Sequence, residues 1–451
     1  LLLLASYFFY SCWSRRYCLL LLGCTAVAYV AGRLLEKRKW TFWAGLVTVL
    51  GILAVFKYTD FLLYTLEKLV SRPLPRLSWV LPVGISFFTF QAAGYLVDVY
   101  QGKYKAETNF VNFALFVSFF PQLLSGPIGR GGELLPQYRE PKKPGFQDLR
   151  KGLCTMTWGY FLKLVIADRA AMLVDSVYGA YASLPGICLV FATVVYALQI
   201  YCDFAGYSAM AIGAGQMLGI RLPVNFRTPY FAQSVQEFWR RWHISLSTWF
   251  RDYVYFPLGG SRCPRWKTYR NILIVFLLSG LWHGASWSFA LWGLLHGVYQ
   301  ILGKQTKGLR EAAVRGLGIR TEAGSWKVLR MAVTFLLVDF AWLFFRADGL
   351  GTALDMLRHI GTDLRPLELL DALKQGTMGL DVPDLWVLLL STALLTGTDI
   401  ARYRGADLRG WFGEQNFLLR ELLLSGFMLL IIILGIWGNG FHASSFIYFQ
   451  F

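Results

Sequence analysis

The chain has 451 residues, of which 56% are hydrophobic and 17% aromatic, and its mean hydropathy is +0.46. This composition indicates a polytopic membrane protein rather than a soluble domain. The formal net charge is +17, but the basic residues fall in short segments between apolar runs. That arrangement favours cytoplasmic loops beside anionic lipid over nucleic-acid binding. The seven cysteines are scattered without CxxC spacing, so the sequence predicts neither a disulfide framework nor a metal site.

Apolar runs that are candidates to cross or enter a bilayer follow one another along the whole chain. They are 1–13, 17–32, 41–57, 79–98, 108–124, 153–176, 186–202, 207–220, 271–302, 327–346, 384–400 and 419–438. Several are shorter than the ~20 residues of a full span, which predicts tilted or re-entrant helices. We expect an all-α polytopic membrane protein, with about 10–12 transmembrane or re-entrant helices and amphipathic interfacial helices beside them.

The chain is predicted to form a single membrane domain, with a core at 81–302 that carries the motif segments and C-terminal helices over 303–451. Residue 1 is not Met and lies inside an apolar run, so we expect a further N-terminal segment before it. The basic segments are expected on the cytoplasmic side, and the mixed segment from Leu350 to Pro383 on the outer face. The basic segments are 33–39, 139–151, 304–327 and 402–409.

A capping box opens the first segment of chemical interest. Ser234 and Glu237 have the S-x-x-E spacing, and Pro257 marks a stop, which together predict one helix of about five to six turns. Its helical period places apolar side chains on one face and polar ones, including His243, on the other. The apolar face is Phe238, Trp242, Leu246, Trp249 and Tyr253, and the polar face is Gln236, Arg240, His243, Ser247 and Arg251.

The apolar stretch 271–302 contains a second histidine, His283. As one straight helix it would be about 48 Å long against roughly 30 Å of hydrocarbon, and basic segments flank it on both sides. Two short helices with a break near Gly280, His283, Gly284 and Ser286 satisfy both length and charge. His283 is then expected at the bend, at membrane depth, where an ionisable side chain is by default a functional candidate.

Two further segments place polar groups among apolar ones. The segment 119–138 combines three prolines with several glycines, which predicts irregular backbone that lines a cavity or is buried in protein. Gln199 and Asp203 stand inside the apolar stretch 198–213. An aspartate there needs a partner, for which we expect an arginine or a backbone donor, and both a structural pairing and a site role stay open.

The motifs together resemble the membrane-bound O-acyltransferase family, and within it the bacterial branch of alginate O-acetylation membrane subunits. The resemblance runs from about Leu81 to the end, and a sister branch that moves D-alanyl groups to teichoic acids shares the WHISLS-like and WHG segments. Ala209 departs from the pattern, because the acetylation branch often has Asp there. The matching segments are FPQLLSGPI (120–128), QIYCDFAGYS (199–208), NFRTPYFAQSVQEFWRRWHISLSTWFRDYVYFPLGG (225–260), SGLWHG (279–284) and FIYFQF (446–451).

This resemblance implies helices arranged around a substrate tunnel and an acyl transfer that runs through the membrane of a bacterial cell. An acetyl group from cytosolic acetyl-CoA, or from an acyl-carrier-protein thioester as the alternative donor, would reach an extracellular polysaccharide, by way of a secreted or membrane-anchored SGNH-type partner. It implies that His283 is the catalytic histidine and His243 the second one, with proton transfer and substrate positioning both open for His243. A neutral imidazole, with a reference pKa of about 6.5, is a suitable base for an acceptor hydroxyl.

The remaining candidate site residues are assigned to substrate binding. Trp239, Trp282 and Trp287 are candidates to shape the acyl slot, and Arg240, Arg251 and Lys267 to meet the anionic groups of coenzyme A. Asp252, Tyr253, Gln199 and Asp203 complete the predicted set, with no bound cofactor and no metal. His296 is expected to be structural, and His359 and His442 carry no functional signal.

Three other functions remain open at this point. Within the same chemistry, the alternative is D-alanyl transfer to teichoic acid. The second alternative is a transporter or flippase, which internal repeat symmetry would favour. The third is a scaffold that only recruits a secreted acetyltransferase, for which His283 would be dispensable.

Overall fold

The computed structural model describes residues 1–437 of the chain, and this part consists of helices and connecting segments without β-strands. The helices of the first 160 residues are α1 Leu2–Trp13, α2 Arg15–Leu34, α3 Trp40–Val70, α4 Ile85–Tyr100, α5 Phe110–Ser118, α6 Phe120–Leu123, α7 Gly131–Arg139 and α8 Phe146–Tyr160. The four-residue α6 and the connection that follows it bear out the irregular backbone predicted for 119–138.

After α8 the chain passes through a π-helical segment, Phe161–Ala167. The helices that follow are α9 Asp168–Gly179, α10 Gly186–Met217, α11 Val235–Arg241, α12 Ile244–Phe250, α13 Arg265–His283, α14 Trp287–Gln305, α15 Lys307–Gly316, α16 Gly324–Arg346, α17 Leu350–Thr362, α18 Leu369–Lys374, α19 Val382–Tyr403, α20 Leu408–Glu414 and α21 Phe417–Leu434. A second π-helical segment, Arg251–Tyr255, continues α12.

Within residues 1–437, six helices are long and apolar enough to cross a membrane, namely α2, α3, α10, α16, α19 and α21. The protein is therefore an all-α, multi-pass membrane protein, as the composition predicts. The predicted total of about 10–12 crossing or re-entrant helices and the predicted tunnel stay predictions.

Several of the apolar runs differ from the helices. Runs 186–202 and 207–220 form one continuous helix, α10, because Asp203 has a buried counter-ion and does not interrupt it. Run 79–98 becomes helical only at Ile85, after an extended segment. Run 41–57 continues to Val70, so α3 has 31 residues.

The chain divides into two compact units, each made of several chain segments. The first unit comprises 1–156, 208–224 and 248–257, and the second comprises 157–207, 225–247 and 258–451. In the first, Gly45 of α3 lies so close to Ala31 of α2 that a side chain there would collide with it. In the second, the buried core includes α10, α11, α14 and α16. The single membrane domain, with its core at 81–302 and its C-terminal helices over 303–451, stays a prediction.

Candidate active site

A glycine-mediated helical hairpin places His283 in the second unit. α13 ends at His283, and α14 begins at Trp287 with Ser286 as its N-cap, whose hydroxyl accepts from the Ser288 N–H at 3.3 Å. A Cβ on Gly280 would collide with the Phe289 carbonyl oxygen and would lie 3.3 Å from the Gly293 Cα, so the two helices pack with their backbones almost in contact. The predicted break near Gly280, His283, Gly284 and Ser286 is confirmed.

The helix predicted over 234–256 is wrong, because the chain breaks at the other histidine. The Ser234 hydroxyl accepts from the Glu237 N–H at 3.1 Å, as the capping box predicts, but α11 ends at Arg241. His243 has a φ of +42°, in the left-handed region that a non-glycine residue adopts only at a cost. It is fully buried and is not part of a continuous polar face with Arg240 and Arg251.

The segment around Asn225 forms the left-handed turn at His243. The Asn225 carbonyl accepts from the Ile244 N–H at 3.0 Å, just after His243, and the Arg227 N–H donates to the Arg241 carbonyl at 3.0 Å, just before it. The Asn225 side-chain oxygen accepts from the Ser245 hydroxyl at 2.7 Å and from the Ser245 N–H at 3.3 Å. These bonds satisfy backbone groups that the helix break releases, so the turn is pinned on both sides.

The two histidines come together in an aromatic enclosure. The imidazole centroids of His243 and His283 are 6.2 Å apart, and the side chains are buried, with His283 only 4% exposed. The Trp282 indole lies against both, at 5.0 Å from the His283 ring and 6.0 Å from the His243 ring. Phe204 of α10 contacts the His243 ring at 4.5 Å. Water is therefore scarce around the two rings, and their proton chemistry depends on whatever binds there.

Trp292 of α14 and Phe345 of α16 also contact His283. The His283 ring lies 5.2 Å from the Trp292 ring and 5.3 Å from the Phe345 ring. Trp239, predicted for the acyl slot, contacts Trp292 at 5.7 Å and donates its indole N–H to His296 Nδ1 at 3.3 Å. Trp239 and His296 thus belong to the same aromatic cluster.

Asp203 has a buried lysine as its counter-ion, in place of the expected arginine or backbone donor. Lys163 Nζ lies 2.6 Å from Asp203 and 2.9 Å from Asp168, and both carboxylates are almost fully buried. The π-helical segment Phe161–Ala167 contains Lys163, and π-helical turns occur frequently at functional sites. Gln199 lies one turn earlier on α10 and is 6% exposed. The structural pairing predicted for Asp203 is confirmed, and a site role for either residue stays a prediction.

The predicted residues Arg251, Asp252 and Tyr253 belong to the first unit, in a charged cluster that also includes Arg130 and Asp98. Arg130 forms an ion pair with Asp252 at 3.0 Å, and its guanidinium lies 4.3 Å from the Tyr253 ring centroid. The Tyr253 hydroxyl donates to Asp98 at 2.6 Å. Arg251 pairs with Asp252 at 2.8 Å, and its side chain is 54% exposed. Arg251 is therefore accessible to a soluble anion.

Three other predicted binding residues, Arg240, Lys267 and Trp287, lie in the second unit. Arg240 is exposed, and Lys267 lies 5.5 Å above the Trp266 ring. Trp287 is 49% exposed, which weakens its assignment to a buried acyl slot. The binding roles of all three stay predictions, and His442 and the FIYFQF segment lie outside the described residues.

Sequence reasoning missed five residues that the structure places in or around the site: Asn225, Phe204, Trp292, Phe345 and Lys163. Asn225 opens the motif 225–260, but its function in the turn depends on a backbone contact that no periodicity reveals. Lys163 had a visible signal, because it is a charged residue within the apolar run 153–176 and such a charge requires a partner. The aromatic residues had none, since aromatics are common throughout the chain.

A model of the membrane-bound O-acyltransferase family matches residues 105–338. This range contains both histidines and Asn225, Lys163 and Trp292. The chain belongs to the membrane-bound O-acyltransferase family. Membership makes it an O-acyltransferase and agrees with its several candidate membrane helices.

Two curated relatives cover most of the chain. It is 37% identical to the peptidoglycan O-acetyltransferase of Helicobacter pylori, over 79% of this chain and 72% of the relative. It is 38% identical to the probable alginate O-acetylase of Pseudomonas aeruginosa, over 78% of this chain and 68% of the relative. A teichoic acid D-alanyltransferase of Streptococcus thermophilus is more distant, at 30% identity over 58% of this chain and 68% of the relative.

Proposed function

We propose that this membrane-bound O-acyltransferase transfers an acetyl group from acetyl-CoA to hydroxyl groups of a polysaccharide in the bacterial cell envelope. The acceptor class rests on relatives whose names specify peptidoglycan O-acetylation and alginate O-acetylation. The observation that carries the chemistry is the pair of buried imidazoles, His243 and His283, with ring centroids 6.2 Å apart. The S. thermophilus relative keeps D-alanyl transfer as the second candidate at lower identity.

His283 acts as the general base in this proposal. Its imidazole accepts the proton of the acceptor hydroxyl while the oxygen attacks the thioester carbonyl carbon. The carbon–sulfur bond then breaks, the imidazolium returns the proton to the leaving thiolate, and the products are an acetyl ester and free coenzyme A. General-base catalysis of this type contributes roughly 10²–10⁴-fold in rate.

His243 lies on the opposite side of the reacting groups. A direct hydrogen bond between the imidazoles would need nitrogen atoms about 3 Å apart, which a centroid separation of 6.2 Å does not provide. The two rings therefore act through a substrate atom held between them. His243 orients the acceptor hydroxyl or the thioester, and its pinned backbone fixes that position in advance.

The substrates approach from opposite faces of the inner membrane. Coenzyme A is a large polyanion that stays in the cytosol, where an exposed cation such as Arg240 or Arg251, or the half-buried Lys267, is available to its phosphates. The polysaccharide, or a secreted SGNH-type partner that passes the acetyl group on to it, stays outside. The surrounding aromatic side chains exclude water, which would otherwise hydrolyse the thioester.

The experiment uses purified protein, labelled acetyl-CoA and two acceptors, deacetylated alginate and peptidoglycan, each with and without the secreted partner fraction. We expect alkali-labile label on a glycan or on the partner with the parent protein, none with His283→Ala, and parental transfer with the matched histidine control His359→Ala. A parallel reaction with a D-alanyl thioester of a carrier protein tests the second candidate. Label transfer by His283→Ala at the parental rate would contradict the proposal.

A further inference from the structure

One face of α14 carries two buried hydrogen-bond donors, the first of which lies against the His283 ring. Trp292 and His296 are one helical turn apart, so their side chains point to the same side of the helix. Both are 0% exposed, and their ring centroids are 5.0 Å apart. They are as deeply buried as any side chain of the core, yet each carries a polar N–H group.

Neither donor has an acceptor among residues 1–437. The Trp292 indole Nε1 is buried with no hydrogen-bond partner in that range. His296 Nδ1 accepts from the Trp239 indole N–H at 3.3 Å, so the neutral imidazole carries its proton on Nε2. That nitrogen is also buried without a partner within the same range. Buried donors left unmatched are rare in proteins, and each one requires an explanation.

The position of the first donor suggests its role. The Trp292 ring lies 5.2 Å from the His283 ring with the two planes at 89°, so the indole packs directly against the imidazole. In acyl transfer, negative charge develops on the carbonyl oxygen as the hydroxyl attacks. Fixed N–H donors in a site without water stabilise that charge and need no reorganisation when it forms.

We propose that Trp292 and His296 form the donor pair that receives the thioester carbonyl oxygen of the acyl donor beside His283. This inference rests on the proposed function. In the step, the acceptor oxygen bonds to the carbonyl carbon and His283 takes the hydroxyl proton. The electron pair of the C=O bond moves to the oxygen, where the two N–H groups hold it. When the carbonyl re-forms, the carbon–sulfur bond breaks and the thiolate leaves with the proton from His283.

Substitution of Trp292 by phenylalanine tests the first donor. The reaction uses purified full-length protein, acetyl-CoA and the glycan acceptor that the parent labels. We expect kcat to fall by roughly 10²–10³-fold, as for the loss of one oxyanion donor, while KM for acetyl-CoA and the unfolding temperature stay near parental values. The matched control is Trp342→Phe, since Trp342 is 1% exposed and stacks on Trp292 at 5.7 Å but has no ring contact with His283. We expect it to retain kcat.

If Trp292→Phe fails to fold, 3-benzothienylalanine at position 292 keeps the shape of the indole and removes only the N–H. For the second donor, we expect His296→Leu to lower kcat and His296→Gln, which keeps a donor and an acceptor, to restore part of it. Parental kcat in both position-292 variants would overturn the inference, as would an equal fall in Trp342→Phe. Absence of transfer by the parent, or transfer by His283→Ala, would instead overturn the proposed function.

Discussion

The imidazole centroids of His243 and His283 are 6.2 Å apart, although two different backbone features, a turn and a helical hairpin, position the two residues. His243 sits in a left-handed turn between α11 and α12, and His283 is the last residue of α13, where a glycine-packed hairpin turns back. The geometry of the pair therefore depends on residues that take no part in the chemistry. This dependence can be tested at the turn and at the hairpin separately.

At the turn, substitution of His243 by glycine should cost less stability than substitution by alanine. Both remove the imidazole, but only glycine adopts a φ of +42° freely. The left-handed conformation costs an L-residue roughly 1–2 kcal/mol. We therefore expect the free energy of unfolding of His243→Gly to exceed that of His243→Ala by about 1 kcal/mol, and its unfolding temperature to be higher. Thermal unfolding in detergent measures this. Equal or greater stability of His243→Ala would show that the turn does not constrain the backbone.

Asn225 should matter to the rate through its side-chain oxygen. Asn225→Ala removes the acceptor for the Ser245 hydroxyl and N–H, so we expect a loss of about 1–3 kcal/mol of stability and roughly 10²-fold in kcat as His243 shifts. Arg227→Ala is the matched control, because the exposed Arg227 contributes its backbone N–H to the turn. An Asn225→Ala protein with parental kcat would refute this function of Asn225.

The hairpin should not tolerate a methyl group on Gly293. A Cβ there would collide with the Phe276 carbonyl oxygen, whereas nothing lies within 4 Å of a Cβ on Gly303 in the same helix. We expect Gly293→Ala to lower both the unfolding temperature and acyl transfer as α13 and α14 separate. Gly303→Ala should leave transfer unchanged and stabilise the helix by about 0.5–1 kcal/mol. The same effect of both alanines would mean that close packing at Gly293 is unimportant.

Much of the fold follows from apolar length and from helix signals in the sequence. The break after His283 was predictable, because a 32-residue apolar stretch with basic flanks is too long for one crossing and contains glycines where the chain can turn. The break at His243 was not. The period of 234–256 is that of one amphipathic helix, and the interruption comes from hydrogen bonds to Asn225 and Arg227, which only the folded chain brings there.

The site was predictable as residues but not as a geometry. His283 and His243 stand in motifs that resemble a known family, and their closeness is a product of the fold. Asp203 required a counter-ion on elementary electrostatic grounds, but its identity as Lys163 depends on the π-helical turn that carries the lysine. Trp292 had no distinguishing signal among the 17 tryptophans of the chain.

Lys163 should be essential for stability. In Lys163→Met, Asp168 and Asp203 lose the cation they share, and removal of one partner from a buried ion pair typically costs about 3–5 kcal/mol. We expect a large fall in unfolding temperature. The exposed pair of Lys327 with Glu322 provides the control, since Lys327→Met should cost no more than about 1 kcal/mol. The triple variant with Asp168→Asn and Asp203→Asn should regain stability, and its failure to do so would argue against a purely electrostatic role.

The most direct test of acyl transfer through the membrane at His283 uses sealed proteoliposomes in which the protein has one known orientation. Labelled acetyl-CoA is supplied to one face and the glycan acceptor, with the partner fraction, to the other. We predict transfer only when acetyl-CoA is on the cytoplasmic face, with the labelled product on the opposite side, and none with His283→Ala. Equal transfer with acetyl-CoA on either face, or transfer by His283→Ala at the parental rate, would contradict the account.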